Sequence, residues 1–139
     1  MMTKVKTTWK GNMQFESTNA GGTLMIDSDA EFGGEGKGYR PKSLMLSSLA
    51  GCSALDVQSL LKKMRAEVEA FDIDVEANLT DEHPKYYDKV KVIYNFHGKD
   101  LQRDKIEKAV KLSEERYCGV MEMFRHFAEL TTEINYFEK

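Results

Sequence analysis

The residues best suited to covalent chemistry in this 139-residue chain are two thiols, Cys52 and Cys118. Cys52 sits inside Ser47-Ser48-Leu49-Ala50-Gly51-Cys52-Ser53-Ala54, a run of almost wholly small residues, whereas Cys118 follows the polar stretch Ser113-Glu114-Glu115-Arg116-Tyr117. Two readings stand side by side. In the first, one thiolate attacks a peroxide oxygen, becomes a sulfenic acid and is captured by the second thiol as a disulfide. In the second, both are small core residues, because free cysteine is among the most buried residue types. Two cysteines in a reducing compartment more often stay reduced or do redox work than form a structural disulfide. Their spacing does not decide whether they meet.

The remaining chemistry-bearing patterns are weaker. Cys118, Glu122 and His126 recur at four-residue offsets, but this matches no zinc-binding spacing, and no metal is expected. In the glycine-rich stretch, Gly36-Lys37 is followed by Gly38 rather than serine or threonine and no strand leads into it, so it is not a phosphate-binding loop. It reads as a mobile connector, with a lid as the alternative. Met121, Met123 and Phe124, with Met45 and Met64, could line an apolar pocket, although methionine serves equally as a core filler. No cofactor is implied.

The elements that must position the thiols follow from periodicity. Residues 4 to 28 alternate as strands, broken by turns at Gly11-Asn12 and Asn19-Ala20-Gly21-Gly22, which predicts an antiparallel meander. Pro41 suits the first position of a helix, and a long helix is predicted from there to about Glu69, with Cys52 in its middle. Its small residues on all sides let another backbone approach closely, as a central helix requires. Phe71 to Ala77 and Lys89 to Phe96 alternate as two half-buried strands. Leu101 to Glu115 reads as an amphipathic helix, Val120 to Phe127 as a short one just after Cys118, and Leu130 to Phe137 as a last strand.

The bulk numbers bound the class. With 41% hydrophobic and 31% charged residues and 2 prolines, the chain is a globular α+β protein, and its length suits a single domain over residues 1 to 139. A net charge of -3 gives nucleic-acid binding little to work with. The start, Met1-Met2-Thr3-Lys4-Val5-Lys6, runs into polar alternation without a signal-like or membrane-spanning segment, so a cytoplasmic protein is expected.

Two separated segments carry a resemblance that covers nearly the whole chain. Arg40-Pro41-Lys42-Ser43-Leu44-Met45-Leu46-Ser47-Ser48-Leu49-Ala50-Gly51-Cys52-Ser53-Ala54-Leu55-Asp56-Val57, followed downstream by Ser113 to Val120, resembles the OsmC/Ohr family. The Ala-Gly-Cys-Ser-Ala-Leu-Asp run is similar to its less characterised YhfA-like branch. The resemblance implies an OsmC-like fold, with antiparallel sheets around long central helices in an intertwined homodimer. It also implies reduction of organic hydroperoxides by a cysteine pair, with a dithiol, often a lipoyl group, as reductant. By position, Cys52 would be the peroxidatic nucleophile and Cys118 the resolving thiol.

This chain departs from the family where the nucleophile is activated. A peroxidatic cysteine must ionise near neutral pH, which burial opposes unless a cation or hydrogen-bond donor compensates. In the peroxidase branches that cation is an arginine from the N-terminal part, held by a glutamate just after the helix-motif proline. Here no arginine precedes Arg40, and the glutamate positions hold Lys42 and Ser43. Arg40, Lys37 and Lys42 are the cations on offer, with solvated surface charges as the alternative. Asp56 falls one helical turn after Cys52, where a carboxylate opposes ionisation of a neighbouring thiol, and it could instead bond a neighbouring helix or subunit. A binding or redox-sensing dimer without efficient turnover is therefore the alternative to a peroxidase.

Overall fold

A computed structural model describes residues 1–139, which divide into two compact units, Met1–Met45 and Leu46–Lys139. The first unit is built on a meander of β1 (Lys6–Gly11), β2 (Gln14–Asn19) and β3 (Gly22–Ile26), in the order β1-β2-β3 with both pairings antiparallel. The turns fall where the sequence places them. At the first, Gly11 and Asn12 take φ of 108° and 47°, the left-handed region that glycine and asparagine tolerate best.

The glycine-rich stretch after β3 is more organised than its composition suggests. A short 3-10 turn, Ala30–Phe32, opens it, and the loop then wraps around the side chain of Asp27, which is 2% exposed. The backbone N–H groups of Ser28, Glu35 and Lys37 all donate to the Asp27 carboxylate. Burial raises the pKa of Asp27, but these donors and the nearby Arg40 charge outweigh it and hold the carboxyl below its ordinary value. Composition gives no sign of this order, which three backbone donors build around one buried carboxylate.

Helix α1 (Pro41–Met64) starts at the expected proline, with the Arg40 carbonyl accepting from the N–H of Leu44. It stops about five residues before the predicted end. Arg65 turns left-handed at φ 56°, and the N–H groups of Ala66 and Arg65 return to the carbonyls of Leu61 and Lys62. This is a Schellman cap with arginine where glycine is usual. Within α1 only Leu49, Ser53, Val57 and Leu61 are buried, a stripe at four-residue spacing. By length and composition α1 is apolar enough to cross a membrane, a property absent from the chain's opening residues, yet only 22% of its most apolar stretch is buried.

The second unit adds β4 (Ala70–Leu79), β5 (Tyr87–Gly98), α2 (Arg103–Leu112), α3 (Gly119–Arg125) and β6 (Glu129–Glu138). The sheet order is β4-β5-β6. Antiparallel pairing holds for β4 with β5, whereas β6 runs parallel to β5, because α2 and α3 return the chain to the far end of the sheet. Central β5 supplies Val90, Val92, Tyr94 and Phe96 to a core that also takes Leu49, Val57 and Leu61 of α1, Ile106 and Val110 of α2, and Met121 and Phe124 of α3. Met121 and Phe124 are thus core residues and Met123 is exposed, so they do not line a pocket together.

Between α2 and α3 the helix widens into a π turn, Ser113–Tyr117, and Cys118 takes extended backbone angles as the N-cap of α3. Single-turn π segments of this kind recur at functional sites.

Candidate functional site

Cys52 and Asp56 are four residues apart on α1 and therefore share one of its faces. The N-cap of α3 brings Cys118 to that face. The Sγ atoms of Cys52 and Cys118 and a carboxylate oxygen of Asp56 all lie within 4.8 Å of one another. Cys52 and Asp56 are half-buried and Cys118 is 4% exposed. The chain thus joins two thiols and a carboxylate that the sequence leaves 62 or more residues apart across the pair.

The surroundings of Cys118 keep its proton on. Burial is the largest effect, and the hydrogen bond and charge of Cys52 add to it, against the opposing N–H donors of Met121 and Val120; the thiol is pushed up to about 11. The Met121 N–H donates to Cys118 Sγ at 3.4 Å. This is the sulfur's share of a helix N-terminus, where unpaired N–H groups favour negative charge.

Beneath the thiols runs a buried chain of hydroxyls. Tyr94 of β5, fully buried, is 2.6 Å from Ser53 Oγ, which is 2.9 Å from Ser113 Oγ, which in turn donates to Asp56 Oδ2 at 3.1 Å. Burial drives the Tyr94 hydroxyl up to about 12, so it stays protonated and remains a donor. Every buried side-chain polar atom has a partner. Asp56 is thereby tied to the α2–α3 junction within the same chain, by Ser113. Sequence reasoning placed Asp56 beside Cys52 but missed Ser53, Tyr94 and Ser113. A serine in a small-residue run, a tyrosine in an alternating strand and a serine at a helix end carry no local sign that they will meet.

The other sequence-level candidates fall elsewhere. Arg40 binds Asp29 through its guanidinium and also donates to the Gly38 carbonyl, both within the first unit. Lys37 pairs with Glu35 at 3.3 Å. Glu122 faces Arg125 and His126 at the surface, at 3.2 and 3.6 Å, while Cys118 turns inward, so those helical offsets build no metal centre. A cavity of about 660 Å³ between the end of α1 and the residues leading into β4 and α2 has a charged lining and includes neither cysteine. A smaller one of about 190 Å³ opens beside Asp56, lined also by Ser59, Leu60, Lys63 and Tyr117.

An α+β fold with a cysteine on a long helix and a second at a later helix N-terminus defines a two-thiol protein of OsmC-like architecture. The family model for OsmC-like proteins matches residues 34–133, and the chain belongs to that family. It is 29% identical over 132 residues to Protein YhfA of Escherichia coli, covering 94% of each chain. A solved structure of a hypothetical protein from Aquifex aeolicus superposes with a TM-score of 0.87 at 29% identity, covering 100% of this chain and 98% of that one. An organic hydroperoxide resistance protein OsmC from Legionella pneumophila shares the fold at 18% identity, with a TM-score of 0.71 and 97% of each chain covered.

Proposed function

We propose that this protein is a thiol-dependent peroxidase, or a closely related thiol redox protein, that reduces organic hydroperoxides in oxidative-stress defence. The observation that carries the reading is the approach of Cys52 Sγ and Cys118 Sγ to within 4.8 Å in a chain of the OsmC-like family. The half-buried Cys52 is the peroxidatic residue: its thiolate attacks the distal peroxide oxygen, the O–O bond breaks, and the alcohol leaves with a proton. Cys118 then attacks the Cys52 sulfenic acid, a disulfide forms and water departs. A dithiol of the lipoyl type restores both thiols. Asp56, one helical turn from Cys52, borders the pair and is held by the Ser113 hydroxyl, and Arg40 is the thiolate-stabilising cation the sequence offers, at the cost of its ion pair with Asp29.

The working form in this reading is a cytoplasmic homodimer of single OsmC-like domains, residues 1 to 139, with no nucleic-acid or membrane partner. The apolar face of α1 left uncovered in one chain supports the pairing.

A second reading is a redox-sensing or small-molecule-binding dimer without efficient turnover. What favours it is the missing activating pair: no arginine precedes Arg40, which pairs with Asp29, and Lys42 and Ser43 stand where the glutamate would be, while burial first and then Cys52 push the Cys118 thiol up to about 11. Reduced protein mixed with an organic hydroperoxide and a dithiol separates the readings. The peroxidase reading expects sustained peroxide consumption and a Cys52 to Cys118 disulfide by mass spectrometry, both lost in Cys52→Ser. A disulfide without turnover selects the sensor, and consumption no faster than the Cys52→Ser control sinks the peroxidase.

A further inference from the structure

The junction of α1 and α3 holds more than a redox pair, because Asp56 completes a ligand set of two sulfurs and one carboxylate oxygen. We propose that the reduced protein binds one zinc ion through Cys52 Sγ, Cys118 Sγ and an Asp56 carboxylate oxygen, with a fourth position left open.

The donor types suit zinc, a borderline-soft ion that takes cysteine sulfur at about 2.3 Å and carboxylate oxygen at about 2.0–2.2 Å in tetrahedral sites. Those bond lengths place tetrahedral ligand atoms roughly 3.5–3.8 Å apart. The three atoms here already lie within 4.8 Å of one another, so side-chain adjustment closes the site without moving a helix. Two ligands come from one face of α1 and the third from the start of α3, all on regular elements rather than a loose loop.

Asp56 also has the outer support that metal-binding carboxylates use. Ser113 Oγ donates to its Oδ2, and Ser53 and Tyr94 continue the bonds inward. This leaves Oδ1 for the ion. The half-buried Cys52 and Asp56 leave the site reachable from solvent, and a cavity of about 190 Å³ opens on the Asp56 side. Three protein ligands and one open position is the pattern of a reactive zinc site rather than a closed structural one.

The ion supplies a positive charge directly at both sulfurs. On binding, each thiol gives its proton to solvent and the two thiolates ligate the metal, with no change of oxidation state. A zinc-bound pair cannot form the disulfide, so metal and oxidation compete for the same sulfurs. The inference concerns reduced protein without peroxide and stands apart from the peroxidase reading.

The test is an anaerobic titration of the reduced, chelator-treated full chain with cobalt(II) as a spectroscopic probe, followed by zinc. Expected are one cobalt per chain, a thiolate-to-cobalt charge-transfer band, its loss on adding zinc, and release of a proton from each thiol. Cys118→Ser should remove most of the band, and Asp56→Asn should weaken binding by about tenfold or more. Wild-type protein oxidised to the disulfide should bind neither ion, a control that needs no substitution to fold. The proposal is overturned if reduced wild-type protein shows no such band, if the band survives Cys118→Ser, or if the disulfide form binds as well as the dithiol. Peroxide turnover is measured separately on metal-free protein, so either idea can fail alone.

Discussion

The hydroxyl chain makes an uneven set of demands on its members. Ser53 serves two neighbours, Tyr94 and Ser113, whereas Tyr94 contributes one hydroxyl at the end of the chain. Tyr94→Phe removes a hydroxyl while Ser53 keeps Ser113, and should cost about 0.5–1.5 kcal/mol. Ser53→Ala leaves the Tyr94 hydroxyl buried without a partner, and should cost roughly 1–3 kcal/mol. Urea unfolding of the two variants checks the order, and equal losses would refute this division of roles. Asp27 supports a pH prediction of the opposite kind to a buried thiol. Its pKa is lowered in the folded state, so the unfolded chain takes up the proton first as pH falls. The stability from Asp27 is therefore present above the ordinary carboxylate range and lost as pH drops through that range toward the folded pKa. Asp27→Asn should flatten that acid limb in unfolding measured across pH, and an unchanged limb would show that the loop does not depend on this charge.

At the scale of elements, the end of α1 is the boundary most open to improvement. Arg65 takes left-handed angles at the C′ position, where a side chain is strained and glycine is not. Its cap is reinforced from α2, since Lys105 Nζ donates to the Met64 carbonyl at 3.0 Å. Arg65→Gly should stabilise the protein by up to about 1 kcal/mol in urea unfolding, with peroxide consumption unchanged. Destabilisation instead would mean that the arginine side chain holds the cap. The π turn after α2 has a different role. It places Ser113 under Asp56 and Cys118 on the α1 face, so the widened turn positions the site rather than the core.

For the whole molecule, the uncovered part of α1 is the feature a single chain does not explain. Leu55 is 75% exposed and Met45 46%, both on a helix whose buried stripe is only four residues deep. The proposed homodimer covers this surface, and exposed apolar area of that kind favours association. Leu55→Glu should shift the protein toward single chains in sedimentation analysis, with the wild type running as a pair. A wild type that already sediments as single chains would end the dimer reading.

The sequence by itself determined most of the elements, because burial on one face of a helix or strand leaves a local period that needs no partner to be read. The meander, the cysteine-bearing helix, the alternating strands and the two motifs around Cys52 and Cys118 were all legible in that way. The loop after β3 is irregular as its glycines suggest, but composition does not report the Asp27 carboxylate around which it is ordered. The early stop of α1 was hidden because arginine gives no signal of a left-handed cap. Only the tertiary structure decided that β6 runs parallel to β5, that Cys52, Asp56 and Cys118 converge, and that Ser53, Tyr94 and Ser113 connect below them. Those are distances between elements, set by how helices and sheet pack, and no local pattern encodes them. The two thiols and the carboxylate one turn from Cys52 were visible from the start; the buried hydroxyls that anchor that carboxylate were not.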